Sequence, residues 1–347
     1  MKLTIKEIAK LSGVSQSTVS KIINNYDDVG EKTKAKVNAV MEEHGYRPTY
    51  SAQTLARKST KMIGVIYAGD INANFDHPFF SEVVSSFKKT IGAQGYDLLF
   101  FSNEKFHKAD EDYLARCQHY HVDGCIIIGG EKVEPSVYAL DQSEIPCVGI
   151  DIELQGPRSA YIMTDNHQVS GLAVEHFYLL GWHDVAFIGG QQESLVSSQR
   201  EEGFKDHIAT YGMKTKTEWL IYGDFFEQSG YDGMKQLLLL EERPHAIFAA
   251  SDLMALGAMK AIKDHGADIG EFGIIGCDDI TAAKYVDPPL TTVRQDKEKI
   301  GKMAAFILQD LMHDRIKGTA VKIDPDLIVR KSCGSKRESS RYKENAK

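Results

Sequence analysis

The chain has 347 residues, 42% hydrophobic and 26% charged, enough for two or three packed domains at about 100–200 residues each. No run approaches the roughly 18 apolar residues of a membrane span, the N-terminus lacks the order of an export signal, and five scattered cysteines form no C-x-x-C pair, so a membrane, secreted or zinc-held protein is not expected and a cytoplasmic one is. Net charge is −8, but residues 1–61 hold eleven Lys/Arg against six Asp/Glu, a balance of +5, and the remainder carries −13.

Three short helical patterns open the chain. Thr4-Ile5-Lys6-Glu7 is a capping box, and the helix it starts buries Ile5, Ile8 and Ala9. After a turn at Leu11-Ser12-Gly13-Val14, Ser15 caps a second helix, Gln16 to Ile23, with Val19, Ile22 and Ile23 inward. A third runs from Glu31 to His44 with Val37, Val40 and Met41 inward and Gly45 as its stop. From Met62 onward, apolar runs at 63–67, 97–101, 125–128, 147–150, 185–188, 246–249 and 273–275 alternate with helical stretches. Continuous apolar strands between helices predict parallel sheets covered on both faces. About 270 such residues exceed one comfortable core, so two doubly wound subdomains are expected. The divisions are residues 1–46, a hinge at 47–61, a body at 62–334 that crosses three times between its subdomains, and an apolar-poor tail at 335–347 expected to be disordered.

Two short helices joined by a tight turn suit entry of the second into a major groove about 12 Å wide. Gln16, Ser17 and Lys21 would face base edges, where amide, hydroxyl and ammonium groups find partners, while Ser15, Thr18 and Asn24 would bond phosphates. A three-helix bundle without DNA affinity has the same periodicity; the local positive charge favours DNA. In the body, Asp151, Ser251, Asp252 and Asp278 fall at strand ends, where open sheets bind ligands. Carboxylates there accept from hydroxyls, Arg200 donates as a fork, and Phe80 and Phe225 offer aromatic faces. Asp252 reads more readily as a helix N-cap than as a ligand contact, Asp165 also as a cap, and Asp279 as solvated.

The run Thr4-Ile5-Lys6-Glu7-Ile8-Ala9, with Gly13-Val14-Ser15, Thr18-Val19-Ser20 and Ile23-Asn24, resembles the headpiece of the lactose-repressor (LacI/GalR) family of bacterial transcription regulators. Gly45-Tyr46-Arg47-Pro48 and Ala52-x-x-Leu55 resemble its hinge; His77-Pro78-Phe79-Phe80, Arg200-x-x-Gly203-Phe204, Ser251-Asp252, Gly276-x-Asp278-Asp279 and Pro289-Leu290-Thr291-Thr292-x-x-Gln295-Asp296 resemble its effector domain. The resemblance, from Thr4 to about Arg330, implies an all-α helix-turn-helix headpiece followed by an α/β, periplasmic-binding-protein-like body. It adds Thr4, Ala52 and Leu55 to the DNA contacts, Leu55 wedging into a minor-groove step, and implies Phe80, Asp151, Arg200, Phe225, Ser251, Asp278 and Gln295 as effector contacts. Thr49 stands where the family often has asparagine, and Phe225 and Ser251 replace the tryptophan and asparagine of lactose-binding members.

The function so implied is a homodimeric repressor of a carbohydrate-utilisation operon, released from palindromic double-stranded operator DNA when a sugar binds, with no cofactor and no metal. The alternatives are control by a purine or a phosphoprotein corepressor, and a solute-binding protein. Catalysis is not expected: G-x-S-x-G, Walker, H-E-x-x-H and G-x-G-x-x-G motifs are missing.

Overall fold

The computed structural model describes residues 3–24, 26–47, 59–69, 77–102, 112–130 and 132–334. Ala52, Leu55 and the tail from Ser335 lie outside the described residues.

The headpiece holds α1 (Ile5–Ser12), α2 (Gln16–Ile23) and α3 (Glu31–Glu43). The capping box forms: the Thr4 amide donates to Glu7 Oε2 at 2.7 Å and the Glu7 amide to Thr4 Oγ1 at 3.4 Å. Gly13 ends α1 at φ +64°, a left-handed conformation that a Cβ would penalise, and so turns the chain into α2. Ser15 Oγ then accepts the Thr18 amide at 3.1 Å. Six buried residues, Ile8, Ala9, Val19, Ile22, Ile23 and Val37, form the core, with Ile5, Val40 and Met41 packed around them. A core this small holds only while all three helices are in place.

The body begins with β1 (Met62–Ala68), α4 (Pro78–Gly92), β2 (Asp97–Phe100), α5 (Tyr113–Tyr120), β3 (Gly124–Gly129), α6 (Pro135–Asp141), β4 (Cys147–Ile150) and β5 (Ser159–Thr164). It continues through α7 (Asn166–Leu179), β6 (Val185–Gly189), α8 (Leu195–Thr210), β7 (Leu220–Tyr222), α9 (Glu227–Leu238), β8 (Ala246–Ala249), α10 (Asp252–Asp264), β9 (Gly273–Cys277) and β10 (Thr291–Arg294), then α11 (Lys297–Met312), β11 (Ala320–Ile323) and β12 (Asp326–Ile328). Two six-stranded sheets result, ordered β11-β5-β4-β3-β1-β2 and β12-β10-β9-β8-β6-β7. Every pairing is parallel except that of β10 with β12. Among the described residues the chain passes between the sheets three times, after β5, β10 and β11.

Strand alternation puts two hydrophobic layers on the first sheet. Ile63, Val65, Ile126 and Ile128 pack with Val83 and Phe87 of α4 and Ala304 and Leu308 of α11, while Ile66, Cys125 and Ile127 pack with Tyr113, Cys117, Val137 and Leu140 of α5 and α6. In the second sheet's core Phe187 lies 5.3 Å from Phe204 and 5.5 Å from Phe248 between ring centroids. All seven predicted strands are present. The five that were not predicted are β5, β7, β10, β11 and β12; three of these are edge strands of three or four residues, too short to give a periodic signal.

Candidate functional site

The headpiece presents Gln16, Ser17 and Lys21 to solvent on α2, with Thr4 and Ser15 exposed beside them and Thr18 and Asn24 half-buried. Most of these polar atoms already have local partners. Ser15 Oγ lies 2.7 Å from Ser17 Oγ and 2.8 Å from Thr18 Oγ1, Thr4 Oγ1 donates to Glu7 Oε2 at 2.9 Å, and Asn24 Nδ2 donates to the Ser20 carbonyl at 2.8 Å. Lys21 pairs with Asp28 from the loop after α2, both side chains about half exposed. Exposed pairs contribute about 0–1 kcal/mol, so the Lys21 ammonium can exchange Asp28 for another acceptor at little cost.

In the body, a cavity of about 680 Å³ lies between the C-terminal ends of the two sheets' strands. Phe80, Asp151, Arg200, Phe225, Asp278 and Gln295 all line it. Asp151 follows β4, Phe225 lies beyond β7 and Asp278 follows β9, and all three have positive φ, +55°, +68° and +117°. Non-glycine residues held there cost about 1–3 kcal/mol each, and such strain gathers where a side chain must be aimed. Gly190, after β6, lets Phe225 approach: a Cβ there would sit 2.1 Å from the ring.

Arg200 rises from α8 and is 3% exposed. Its Nε donates to Asn166 Oδ1 at 2.9 Å and one terminal nitrogen to the Ala250 carbonyl at 2.5 Å; the guanidinium stands 5.9 Å from the Phe225 ring centre. Asp278 Oδ1 accepts from Gln295 Nε2 at 2.7 Å. Asp278 Oδ2 and Gln295 Oε1 remain buried with no hydrogen-bond partner among the described residues. Loss of water pushes the Asp151 carboxyl up to about 6, against the pull of Arg200 and with a further push from Asp278. Lys297 Nζ donates to the Asp278 and Asp279 carbonyls at 2.8 and 2.9 Å and sits 3.3 Å from Glu82, joining the strand ends of one sheet to α4 on the other.

Three readings change. Ser251 does not line the cavity: it is the N-cap of α10, its hydroxyl accepting the Met254 amide at 3.1 Å and donating to the Phe225 carbonyl at 2.7 Å. It touches the site only through the backbone of Phe225. Asp252 is therefore not the cap; it is wholly buried, accepting from the Ile280 amide at 2.8 Å and the Thr292 hydroxyl at 2.6 Å, and burial with nearby Asp278 drives its carboxyl well above the ordinary range. Asp279 is not solvated but paired with Arg330, both nearly buried. Asp165 does cap α7, accepting the Gln168 amide at 3.1 Å.

Sequence reasoning missed His77 and Asp141. His77 is buried in the cavity wall with its ring 5.6 Å from those of Phe80 and Phe226; burial pushes the imidazole down while Asp278 pulls it up. Asp141, at the end of α6, accepts from the Gln155 and Gly156 amides at 3.1 and 3.0 Å and so shapes the loop between β4 and β5. His77 stood in the His77-Pro78-Phe79-Phe80 motif at a helix start, but only Phe80 of that run was read as a contact. Nothing local to Asp141 marks it, because its partners are fourteen and fifteen residues away.

A two-sheet body that closes a polar cleft, carried behind a capped helix-turn-helix, defines a ligand-responsive DNA-binding regulator. Residues 4–49 match the model for bacterial regulatory proteins of the lacI family, and residues 174–333 that for a periplasmic binding protein-like domain. The chain is 32% identical over 340 residues to the HTH-type transcriptional repressor PurR of Haemophilus influenzae, covering 96% of this chain and 99% of the relative, and 30% identical over 332 residues to that of Mannheimia succiniciproducens, covering 95% and 98%. The lac repressor dimer bound to operator and the anti-inducer ONPF is similar with TM-score 0.80 at 27% identity, over 96% of this chain and 99% of that one. A CelR–cellobiose complex gives 0.71 at 26% identity, over 95% and 100%. The chain belongs to the lacI family of bacterial regulatory proteins and is a DNA-binding transcriptional repressor, not an enzyme.

Proposed function

We propose that the chain is a cytoplasmic, dimeric repressor of a carbohydrate-utilisation operon, released from a palindromic operator when an uncharged sugar or oligosaccharide fills the cleft. Residues 1–46 read DNA through Gln16, Ser17 and Lys21 on base edges and Thr4, Ser15, Thr18 and Asn24 on the backbone; residues 47–61 form the hinge, with Ala52 and Leu55 at the minor groove; residues 62–334 bind effector and partner subunit. The observation that carries the sugar reading is the pair of buried, unpartnered acceptors, Asp278 Oδ2 and Gln295 Oε1, beside Asp151 in a cavity of about 680 Å³. An acceptor left dry costs about 1–3 kcal/mol, which a ligand hydroxyl recovers on binding. Phe80 and Phe225 supply faces for an apolar sugar plane, and the cellobiose complex of a similar fold supports the same class.

Phosphorylated sugars are disfavoured by charge: Asp141, Asp151, Glu153, Glu193 and Asp278 line the cavity against two cations, Lys132 and Arg200, and Arg200 already donates to Asn166 and Ala250. Ligand and operator oppose each other through one equilibrium of subdomain angle, to the extent of the ligand's differential affinity for the two states. The relatives named PurR favour a second reading, a purine effector in the same cleft. Titrating the operator-bound protein with neutral mono- and disaccharides, their 6-phosphates, guanine and a phosphocarrier protein separates the readings. Release by a neutral sugar alone is expected; a change of operator affinity in either direction with guanine or the phosphocarrier, with every sugar inert, overturns the carbohydrate claim.

A further inference from the structure

The last residues of the hinge, 59–61, are held by one carboxylate of the body that the cleft does not use. Asp123, in the turn between α5 and β3, accepts from Ser59 Oγ at 2.5 Å, the Thr60 amide at 2.9 Å and the Lys61 amide at 3.0 Å. The Thr60 hydroxyl donates to the His121 carbonyl at 2.6 Å and lies 3.2 Å from Asp123 Oδ1. Asp123 returns its own amide to the Met62 carbonyl at 2.9 Å. Three consecutive residues are thus gripped by both oxygens of one side chain, through the charge-assisted bonds that are the strong ones. Lys61 adopts φ +55° within this grip, its ammonium 4.0 Å from the centre of the Tyr96 ring and its carbonyl bonded to the Asp97 amide at 2.9 Å. The far end of the same wall reaches the cleft: α5 packs in one layer with α6, and α6 carries Tyr138 and Asp141 into the cavity lining.

We propose that Asp123 is the positioning residue that fixes where the hinge leaves the body, so that a change of subdomain angle turns the hinge instead of being lost in a swivel at residues 59–61. The inference rests on the operator-and-effector reading above. Without the carboxylate, the headpieces stay folded and basic, so they keep sequence-independent affinity for DNA and lose the alignment that operator binding requires.

The test uses the full-length protein, a palindromic duplex selected on wild type from a random pool, and an unrelated duplex. If selection on wild type yields no palindrome, the operator reading itself fails, and the failure is distinguishable from failure of Asp123. With the selected duplex, Asp123→Asn is expected to weaken operator binding at least tenfold, and Ser59→Ala about threefold, with affinity for the unrelated duplex unchanged and the body's melting midpoint within a few degrees of wild type. Ser59→Ala keeps the test open should Asp123→Asn fold poorly, because Ser59 is not part of the core. Wild-type operator affinity in Ser59→Ala together with either wild-type affinity or a proportionate loss of melting midpoint in Asp123→Asn overturns the proposal, as does an equal loss on both duplexes.

Discussion

The headpiece and the cleft solve opposite problems with the same polar chemistry. On α2 the groups proposed to read bases, Gln16, Ser17 and Lys21, are exposed, and Lys21 is only lightly tied to Asp28. In the cleft Arg200, Asp278 and Gln295 are 3% exposed or less and fixed by bonds or by left-handed backbone. DNA is a large polyanion whose contacts remain wet, so cheap, displaceable partners serve it. A small molecule has few contacts, so each must be desolvated and aimed beforehand, and the protein bears the strain before the ligand arrives.

That contrast can be broken most forcefully by separating the two regions. Ile8→Ala removes a fully buried side chain from a six-residue core and is expected to cost about 2–5 kcal/mol. Operator binding should vanish while effector binding to the body, followed by calorimetry, persists; loss of both would contradict the independence of the regions. Arg200→Ala strips Asn166 and the Ala250 carbonyl of their partner at about 1–3 kcal/mol each. Operator affinity should stay near wild type, and an effector that releases wild type should leave the variant bound.

Smaller effects sharpen the comparison. Asp151 has its carboxyl raised from 3.8 to about 6, so its ionised form is disfavoured in the folded protein and its ionisation detracts from stability as pH rises from about 4 to 6. Asp151→Asn should therefore be more stable than wild type at pH 7.5, by about 3 kcal/mol, and the gap should close by pH 4, measured as melting midpoints. Since hydroxyl donors favour the carboxylate, wild-type effector affinity should fall as pH drops through 6. The mildest change belongs on the exposed face: Lys21→Ala should weaken operator binding and relax base preference at its position, and Gln16→Ala should relax base preference at one position by about 1–3 kcal/mol. Unchanged operator choice in both variants would refute the assignment of α2 to base edges.

What the sequence made legible follows the range of the interactions. Capping at Thr4 and Ser15 spans three residues, so the headpiece could be read directly. The parallel strands were visible because both faces are apolar. Ser251 takes the cap read for Asp252 because the carboxylate of Asp252 finds Ile280 and Thr292 instead, twenty-eight and forty residues further on. The grip of Asp123 on Ser59, Thr60 and Lys61 spans more than sixty residues and has no local signature. Cleft residues at strand ends could be chosen by rule, whereas His77 enters through a helix start and was passed over.

The account stands or falls on coupling between the two regions. Its most direct measurement is the anisotropy of a labelled palindromic duplex titrated with full-length protein at several salt concentrations, with and without a neutral disaccharide panel. The account predicts affinity that falls steeply with salt and a shift of the whole curve to weaker binding with at least one uncharged sugar. Affinity indifferent to salt, or a curve that no sugar moves while guanine does, would contradict it.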